Sequence, residues 1–371
     1  MKELYMRQIV LIVMILVGCC AYAGNMTVVD DADNSPVGGA TVIGSSGMIL
    51  GRTDSYGRIQ ISDSRDFPVT VRCIGYEPLS LAEFVESARL VPASYELGEL
   101  VVSPADRPVM QVVCFAREYC SGITGSDTMQ LYCEYMTVSY LTDGKVKGYK
   151  ENDARPSYRN VRRYARITKD GRDSISRPVY DDDLTQLSWF DFMAFLPTGK
   201  TEAPEAIRKG AESDSVPGKY GTQFLYRKKN NLFTKTADVL SNHKDRKWSP
   251  WFFKLIGMTV DIEVGSWLLS FSSNPSDSYG IRDFVCGTYN IRMLGRGKWL
   301  KKAFGSKHPI AMETYVELYP VEIRNCTVAE YKEAKDDLSR IPFRYPDYLQ
   351  PLAPSIKTLV DRIDRDIPLK K

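Results

Sequence analysis

The chain has 371 residues, of which 43% are hydrophobic and 26% are charged, and its formal net charge is +3. This composition is typical of folded globular protein and excludes a disordered chain. The small net charge creates no field that would attract nucleic acid, so no nucleic-acid partner is expected. The length allows two domains, and the 22 tyrosines favour β structure over helix.

The first 23 residues have the features of a secretory signal peptide. Lys2 and Arg7 supply positive charge, residues 9–17 are an unbroken apolar run, and residues 21–23 (Ala-Tyr-Ala) suit cleavage after Ala23. The run is too short to cross a bilayer core of about 30 Å. Export from the cytoplasm is therefore predicted.

A second processing signal overlaps the first. Residues 16–19 (Leu-Val-Gly-Cys) resemble a lipobox, in which Cys19 is lipidated and becomes the mature N-terminus. The sequence leaves both routes open. Each places the protein in the periplasm or at the outer membrane.

Residues 26–103 contain short strand-like segments separated by turn-forming residues. Residues 59–61 alternate, with Ile59 and Ile61 on one face, and residues 69–74 form another strand that Gly75 ends. Such spacing is typical of an all-β sandwich or barrel.

Four of these segments, in the same order, resemble the carboxypeptidase D regulatory-like family. They are residues 34–42 (with Gly-Gly-Ala-Thr-Val), 53–59 (Thr-Asp-Ser-Tyr-Gly-Arg-Ile), 73–77 (Cys-Ile-Gly-Tyr-Glu) and 96–102 (Glu-Leu-Gly-Glu-Leu-Val-Val). The resemblance implies a seven-stranded, transthyretin-like sandwich that serves as an accessory module. Met26 and Ile59 depart from the family pattern, but both keep apolar side chains on strands.

Residues 104–108 contain two prolines and are predicted to be a linker. The remainder, 109–371, is predicted to be a β-rich α+β domain with long antiparallel hairpins, so the fold class is mainly β. Residues 109–119 have apolar side chains at helical spacing and are predicted to form a helix, whereas 129–141 alternate as a long strand. Further strands are predicted at 164–167, 222–226, 258–263, 266–271, 284–293 and 313–319, Asp-Gly turns at 143–144 and 170–171, and helices at 328–338 and 356–363.

Six cysteines follow the signal peptide. In an oxidising compartment, Cys114, Cys120 and Cys133 lie close enough in sequence for one disulfide among them. The alternative is that several are small buried hydrophobic residues. The six are Cys73, Cys114, Cys120, Cys133, Cys286 and Cys326.

Enzyme motifs are missing from the sequence. A zinc carboxypeptidase needs two histidines and a glutamate, with His-x-x-Glu spacing, whereas His243 is followed at the third place by Arg246 and His308 by Ala311. There is no Gly-x-Ser-x-Gly elbow. No catalytic residue, metal or cofactor is therefore expected. Asp181-Asp182-Asp183 could contribute carboxylates to a calcium site or to glycoside hydrolysis, although a solvated loop explains them better.

The most apolar aromatic run of the mature chain is residues 248–256. Trp248, Trp251, Phe252 and Phe253 are predicted to form a ligand-binding or membrane-contacting surface, and core packing beneath strands is the competing interpretation. Residues 296–302 mix basic and aromatic side chains, which suits either lipid headgroups or a solvated face.

These observations predict an exported, non-catalytic binding or scaffold protein whose partners are components of the outer membrane or cell envelope. One alternative is a carrier of lipid or another apolar ligand, with Trp251 and Phe252 near its cavity. A second alternative is a carboxylate-dependent hydrolase.

Mass spectrometry of the natural protein tests the predicted export. Cleavage by signal peptidase gives Gly24 as the N-terminus, whereas lipidation gives acylated Cys19, and Cys19→Ala then releases the protein from membranes because the acyl chains are lost. An intact Met1 on protein recovered from the cytoplasm contradicts export.

Overall fold

The computed structural model describes residues 24–62, 64–93, 107–142, 144–150, 156–178, 201–218, 221–227, 232–272, 278–298, 301, 308–336 and 341–368. The signal segment with Cys19, the closing strand predicted at 96–102, residues 104–106 of the linker and the Asp181–Asp183 run lie outside these residues. The chain divides into two compact units. Unit 1 comprises residues up to Cys73 together with Pro78–Val91, and unit 2 comprises Ile74–Glu77 and Pro92–Lys371.

The described residues of unit 1 form seven strands. They are β1 (Gly24–Asp30), β2 (Thr41–Ile43), β3 (Ile49–Arg52), β4 (Arg58–Ile61), β5 (Val69–Arg72), β6 (Leu79–Leu81) and β7 (Ser87–Leu90). One sheet has the order β4-β1-β7 and the other β3-β2-β5-β6. Both sheets contribute buried side chains, among them Met26, Val28, Val42, Ile59 and Val71, so the core lies between two apolar sheet faces.

The turn before β4 is fixed by side-chain hydrogen bonds. The Thr53 hydroxyl donates to the Val37 carbonyl at 2.7 Å and accepts from the Ala40 amide at 2.9 Å. The Asp54 carboxylate accepts from the amides of Tyr56 and Arg58 at 2.8 and 2.9 Å. These bonds explain why threonine and aspartate precede a turn that ends in Gly57.

Unit 2 is built on long strands. They are β8 (Val109–Thr124), β9 (Asp127–Thr142), β10 (Ser157–Lys169), β11 (Arg172–Ser176), β12 (Thr201–Glu202), β13 (Ser213–Gly218), β14 (Gly221–Arg227), β15 (Phe233–Asp238), β16 (Met258–Phe271), β17 (Ser278–Tyr279), β18 (Phe284–Gly297) and β19 (Ile310–Cys326). The helices are α1 (Glu205–Arg208), α2 (Val328–Asp336) and α3 (Pro354–Asp366). Among the described residues, no helix is long and apolar enough to cross a bilayer.

Ten of these strands form one antiparallel sheet in the order β11-β10-β9-β8-β19-β18-β16-β15-β14-β13. The pair β12-β17 forms a small second sheet. The hairpin β10-β11 closes through Asp170 and Gly171, which adopt φ of 49° and 72°, as the Asp-Gly signal predicted. The expected β-rich architecture with long antiparallel hairpins is confirmed.

The helix predicted at 109–119 is wrong, because these residues form the first two-thirds of β8. The strand lies near the middle of the sheet and is buried on both faces. Met110, Val112 and Cys114 pack in one apolar cluster, whereas Val109, Val113 and Phe115 pack in another. A strand with two apolar faces loses its two-residue alternation, so its pattern can imitate that of a helix.

The strands predicted at 258–263 and 266–271 are a single strand, β16. The register with β18 shifts between Ile262 and Val264, which places a bulge at Glu263. The extra residue reverses the side-chain alternation, so the pattern looks interrupted although the strand continues.

All six described cysteines are free and buried, so the disulfide expected as one alternative is absent among them. Burial raises the pKa of the thiols of Cys114 and Cys120 to about 12. These side chains act as small apolar residues in the core.

Gly57 allows a specific stability prediction. Its φ is 72°, and a β-carbon there would lie 2.3 Å from the Val28 carbonyl oxygen, whereas Gly39 has φ of 80° with no atom within 4 Å of its β-carbon position. Gly39→Ala should cost about 1–2 kcal/mol, the penalty of a left-handed residue. Gly57→Ala should cost more, because Val28 must move, and hydrogen exchange of β1 measured by mass spectrometry should accelerate accordingly. Equal effects of the two substitutions would contradict this account.

Candidate functional site

Among the described residues of unit 2, the most exposed large apolar side chains lie in the connection between β15 and β16. We call residues 248–257 the aromatic tip. It contains a short 3₁₀ helix, Trp251–Ile256, and follows another, Lys244–Arg246. Trp251 is 70% exposed, Phe252 47% and Leu255 75%. Large apolar side chains at such exposure in one short segment make it a candidate contact surface.

The geometry of the 3₁₀ helix explains which side chains face outward. Residues three apart lie above one another in such a helix, so Phe252 and Leu255 share a face and Trp251 lies above Lys254. Phe253 lies on a different face and is buried in the core with Met258. Trp248 is 37% exposed, and Trp251 and Phe252 are more exposed still, as the predicted surface requires, whereas Phe253 packs in the core.

The tip is fastened to the sheet through its first residue. The Trp248 amide donates to the Ile262 carbonyl at 3.0 Å, and the Ile262 amide donates to the Trp248 carbonyl at 2.8 Å. Gly257, with φ of 71°, ends the 3₁₀ helix and leads directly into β16. The segment is therefore held at both ends by backbone structure.

A buried carboxylate adds a second fastening. Asp261 accepts hydrogen bonds from the Ser249 hydroxyl at 2.6 Å and from Arg296 at 2.9 Å, and the Lys247 ammonium lies 2.9 Å away. The Ser249 hydroxyl and the two cations lower the pKa of the Asp261 carboxyl. Asp261 therefore stays ionised and joins the tip to β16 and β18.

The end of β18 lies against the tip. A β-carbon at Gly297 would lie 2.3 Å from the carbonyl oxygen of Gly257. Only glycine allows this approach, and it places the exposed Lys298 next to the tip. The basic segment predicted from residue 296 onward and the aromatic run thus meet, although residues 299–300 lie outside the described part of the chain.

Positive charge predominates around the tip. The segments that adjoin the tip contribute six basic side chains and three acidic ones, Asp238, Asp245 and Asp261. Arg246 pairs with Asp238, while Lys247 and Arg296 pair with Asp261. Within the described residues, Lys254 and Lys298 have no acid within ion-pair distance. The six cations are Lys244, Arg246, Lys247, Lys254, Arg296 and Lys298.

The two histidines considered from the sequence have different surroundings. His243 lies near Trp248, with ring centroids 6.2 Å apart, whereas His308 lies beside Gly125 in the β8-β9 turn. Within the described residues, no group of three histidine, cysteine, aspartate or glutamate side chains could hold a metal ion.

The sequence did not indicate the roles of Ser249, Asp261 and Leu255. The contact of Asp261 with Ser249 depends on the chain reversing direction between them, which no local pattern reports. Leu255 belongs to the apolar run, but its exposed position is set by the three-residue period of the 3₁₀ helix.

Comparison with known proteins identifies no family. No protein-family model matches the chain, and no curated protein does. A solved structure titled "Lipid-protein interactions in lipovitellin" is similar over 59% of this chain and 26% of its own, with 14% identity and a TM-score of 0.29.

Replacement of Asp261 tests the fastening. Asp261→Asn should destabilise the attachment of the tip to β16 by about 2 kcal/mol, because a hydrogen-bonded ionic acceptor is lost. Tryptic cleavage after Lys254 in the native protein should therefore accelerate roughly 30-fold. Glu263→Gln is the matched control, since Glu263 lies on the same strand and forms an exposed ion pair with Arg292.

The same contact has a defined pH dependence. The pKa of Asp261 is lower in the folded protein than its ordinary value of 3.8. Its stabilisation is therefore complete above that value and is lost as the pH falls through the lower folded pKa. Equal cleavage of wild type and Asp261→Asn at neutral pH would contradict the assignment.

Proposed function

We propose that this protein is an exported, non-catalytic binding protein that attaches to an anionic lipid surface of the cell envelope through its aromatic tip. The observation that carries the proposal is the exposure of Trp251, Phe252 and Leu255 on a fastened segment bordered by cations. The accessory role of unit 1 and the location in the periplasm or at the outer membrane are parts of the same proposal.

The side chains of the tip suit the boundary between lipid headgroups and acyl chains. Tryptophan is enriched at that depth because its ring is apolar and its indole N–H can still reach water. Burying one large apolar side chain contributes about 1.5–3 kcal/mol. Trp251, Phe252 and Leu255 together supply enough for reversible attachment to a membrane.

The surrounding cations favour anionic headgroups. Lys254 lies within the 3₁₀ helix itself, and Lys298 follows the last residue of β18. Each cation near an anionic surface adds about 1 kcal/mol, and this attraction is screened by salt over a Debye length of about 10 Å at 0.1 M. Attachment should therefore need both the apolar tip and negative lipid.

The positions of the tip residues bear on the competing interpretations. Core packing requires burial, which applies to Phe253 and not to Trp251, Phe252 or Leu255. The carrier hypothesis placed Trp251 and Phe252 near a cavity, whereas both lie on the surface of the protein. The alternative of a carboxylate-dependent hydrolase named no particular carboxylates and stays a prediction, and the Asp181–Asp183 run lies outside the described residues.

Vesicle binding tests the proposal. Wild-type protein should sediment with vesicles of phosphatidylglycerol and phosphatidylethanolamine, and Trp251→Ala should weaken binding about tenfold or more, because the largest exposed side chain of the tip is lost. Phe224→Ala is the matched control, since Phe224 is an aromatic residue on β14 with 52% exposure and lies outside the tip.

Lipid charge and salt separate the two contributions. Lys254→Ala combined with Lys298→Ala should weaken binding to phosphatidylglycerol vesicles and make it less sensitive to salt. Equal binding to phosphatidylcholine alone would remove the electrostatic part of the proposal. Absence of vesicle binding, or equal binding by wild type and Trp251→Ala, would overturn the proposal.

A further inference from the structure

A row of alternating charges crosses the centre of the ten-stranded sheet. Arg162 on β10 is in register with Glu134 on β9, Glu134 with Arg117 on β8, and Arg117 with Glu317 on β19. We call these four residues the charged row. Arg117, Glu134 and Glu317 are at most 5% exposed. Opposite charges on neighbouring strands stabilise the register. Burial removes their hydration, so hydrogen bonds within the protein must take its place.

The segment between α2 and α3 supplies some of these hydrogen bonds. Residues 341–350 lie outside helices and strands and contain prolines at 342 and 346. The Tyr345 hydroxyl donates to Glu134 at 2.9 Å, and Arg117 donates to the Gln350 carbonyl at 2.5 Å. Burial and the Glu134 carboxylate raise the pKa of Tyr345 to about 12, so this hydroxyl remains a donor at neutral pH.

Aromatic contacts position the same segment. Phe343 packs edge-on against Phe115 at 5.8 Å, and Tyr345 packs against Phe115 at 5.2 Å. The Arg162 guanidinium lies 3.7 Å from the centre of the Phe343 ring. Side chains two residues apart thus face the sheet together, as expected for an extended peptide.

The contacts made by this segment resemble those of a peptide bound to a protein surface. The sheet recognises its backbone through carbonyl groups, since Asn160 donates to the Ile341 carbonyl at 2.7 Å and Arg117 to that of Gln350. It recognises the side chains through an aromatic surface and one carboxylate. Extended, proline-containing peptides are commonly bound on aromatic surfaces, because proline lowers the entropy lost on binding.

We propose that the charged row and Phe115 form a binding site for an extended peptide with two aromatic residues separated by one residue and followed by proline. Residues 343–346, Phe-Arg-Tyr-Pro, occupy this site within the same chain. Release of the segment exposes Arg117 and Glu134 to water, which solvates them, and it also uncovers the apolar cluster around Phe115, so the charged row offsets part of the cost of detachment. The peptide of a partner protein can therefore compete for the site.

The intramolecular segment sets the condition for the test. A tethered segment has an effective concentration of the order of millimolar, so wild-type protein should bind a free peptide only weakly. The variant Phe343→Ala/Tyr345→Ala removes both aromatic contacts and leaves α3 in place. A fluorescent peptide of residues 341–351 should then bind saturably, at least tenfold more tightly than to wild type. Asp347→Ala, a change at an exposed position of the same segment, is the control and should behave as wild type.

A second control changes the sequence of the peptide. Replacing the tyrosine equivalent to Tyr345 by phenylalanine removes the hydroxyl that donates to Glu134, so this peptide should bind about tenfold more weakly. A folded double variant that binds neither peptide up to millimolar concentration would overturn the proposal. Equal affinity for the two peptides would overturn the role of Glu134.

A measurement on the wild-type protein applies if the double variant does not fold. Cleavage by trypsin after Arg344 requires the segment to leave the sheet. Cleavage at a rate that low denaturant concentrations do not change indicates local detachment, as proposed. Cleavage only in parallel with global unfolding shows that the segment is an integral part of the fold and overturns the proposal.

Discussion

The burial of the central strands on both faces is the constraint on which unit 2 depends. A strand covered on both sides cannot send its polar side chains to water, so each of them needs a partner inside the protein. On β8, Met110, Val112 and Cys114 meet this condition by being apolar, whereas Arg117 meets it through Glu134 and the Gln350 carbonyl. This requirement explains why charged residues face one another across the long strands and why the segment at 341–350 hydrogen-bonds to them.

The same requirement explains the contrast between the two sites. At residues 341–350, aromatic side chains cover charges that the sheet has already placed, and hydrogen bonds compensate the lost hydration. At the aromatic tip the charged group is buried and the apolar side chains are exposed. Asp261 binds Ser249 at the base of the tip, while Trp251 and Leu255 face solvent. The exposure of Trp251 and Leu255 is the observation on which the proposed lipid contact rests.

The two proposals concern different parts of unit 2 and depend on different chemistry. Attachment to lipid depends on the apolar area of the tip and on cations such as Lys254 and Lys298, which have no acidic partner among the described residues. Peptide binding depends on Phe115 and the hydrogen-bonding capacity of Glu134 and Arg117. Together they describe a protein that holds a membrane surface at one site and a protein segment at another, which is consistent with a scaffold in the cell envelope.

Local sequence patterns determined much of this architecture. The Thr-Asp turn before Gly57, the Asp-Gly turn at 170–171, the strand at 129–141 and the helix at 356–363 were predictable because their signals reside in a few adjacent residues. The same patterns identified the run at 248–256 as distinctive. Only the tertiary structure decided that 109–119 is a strand, since burial on both faces erases the alternation that distinguishes a strand from a helix. It also decided that Phe253 faces the core while Trp251 faces solvent, and that Arg117 lies between Glu134 and Glu317. These facts depend on which strands become neighbours, and neighbours distant in the chain leave no periodic signal in the sequence.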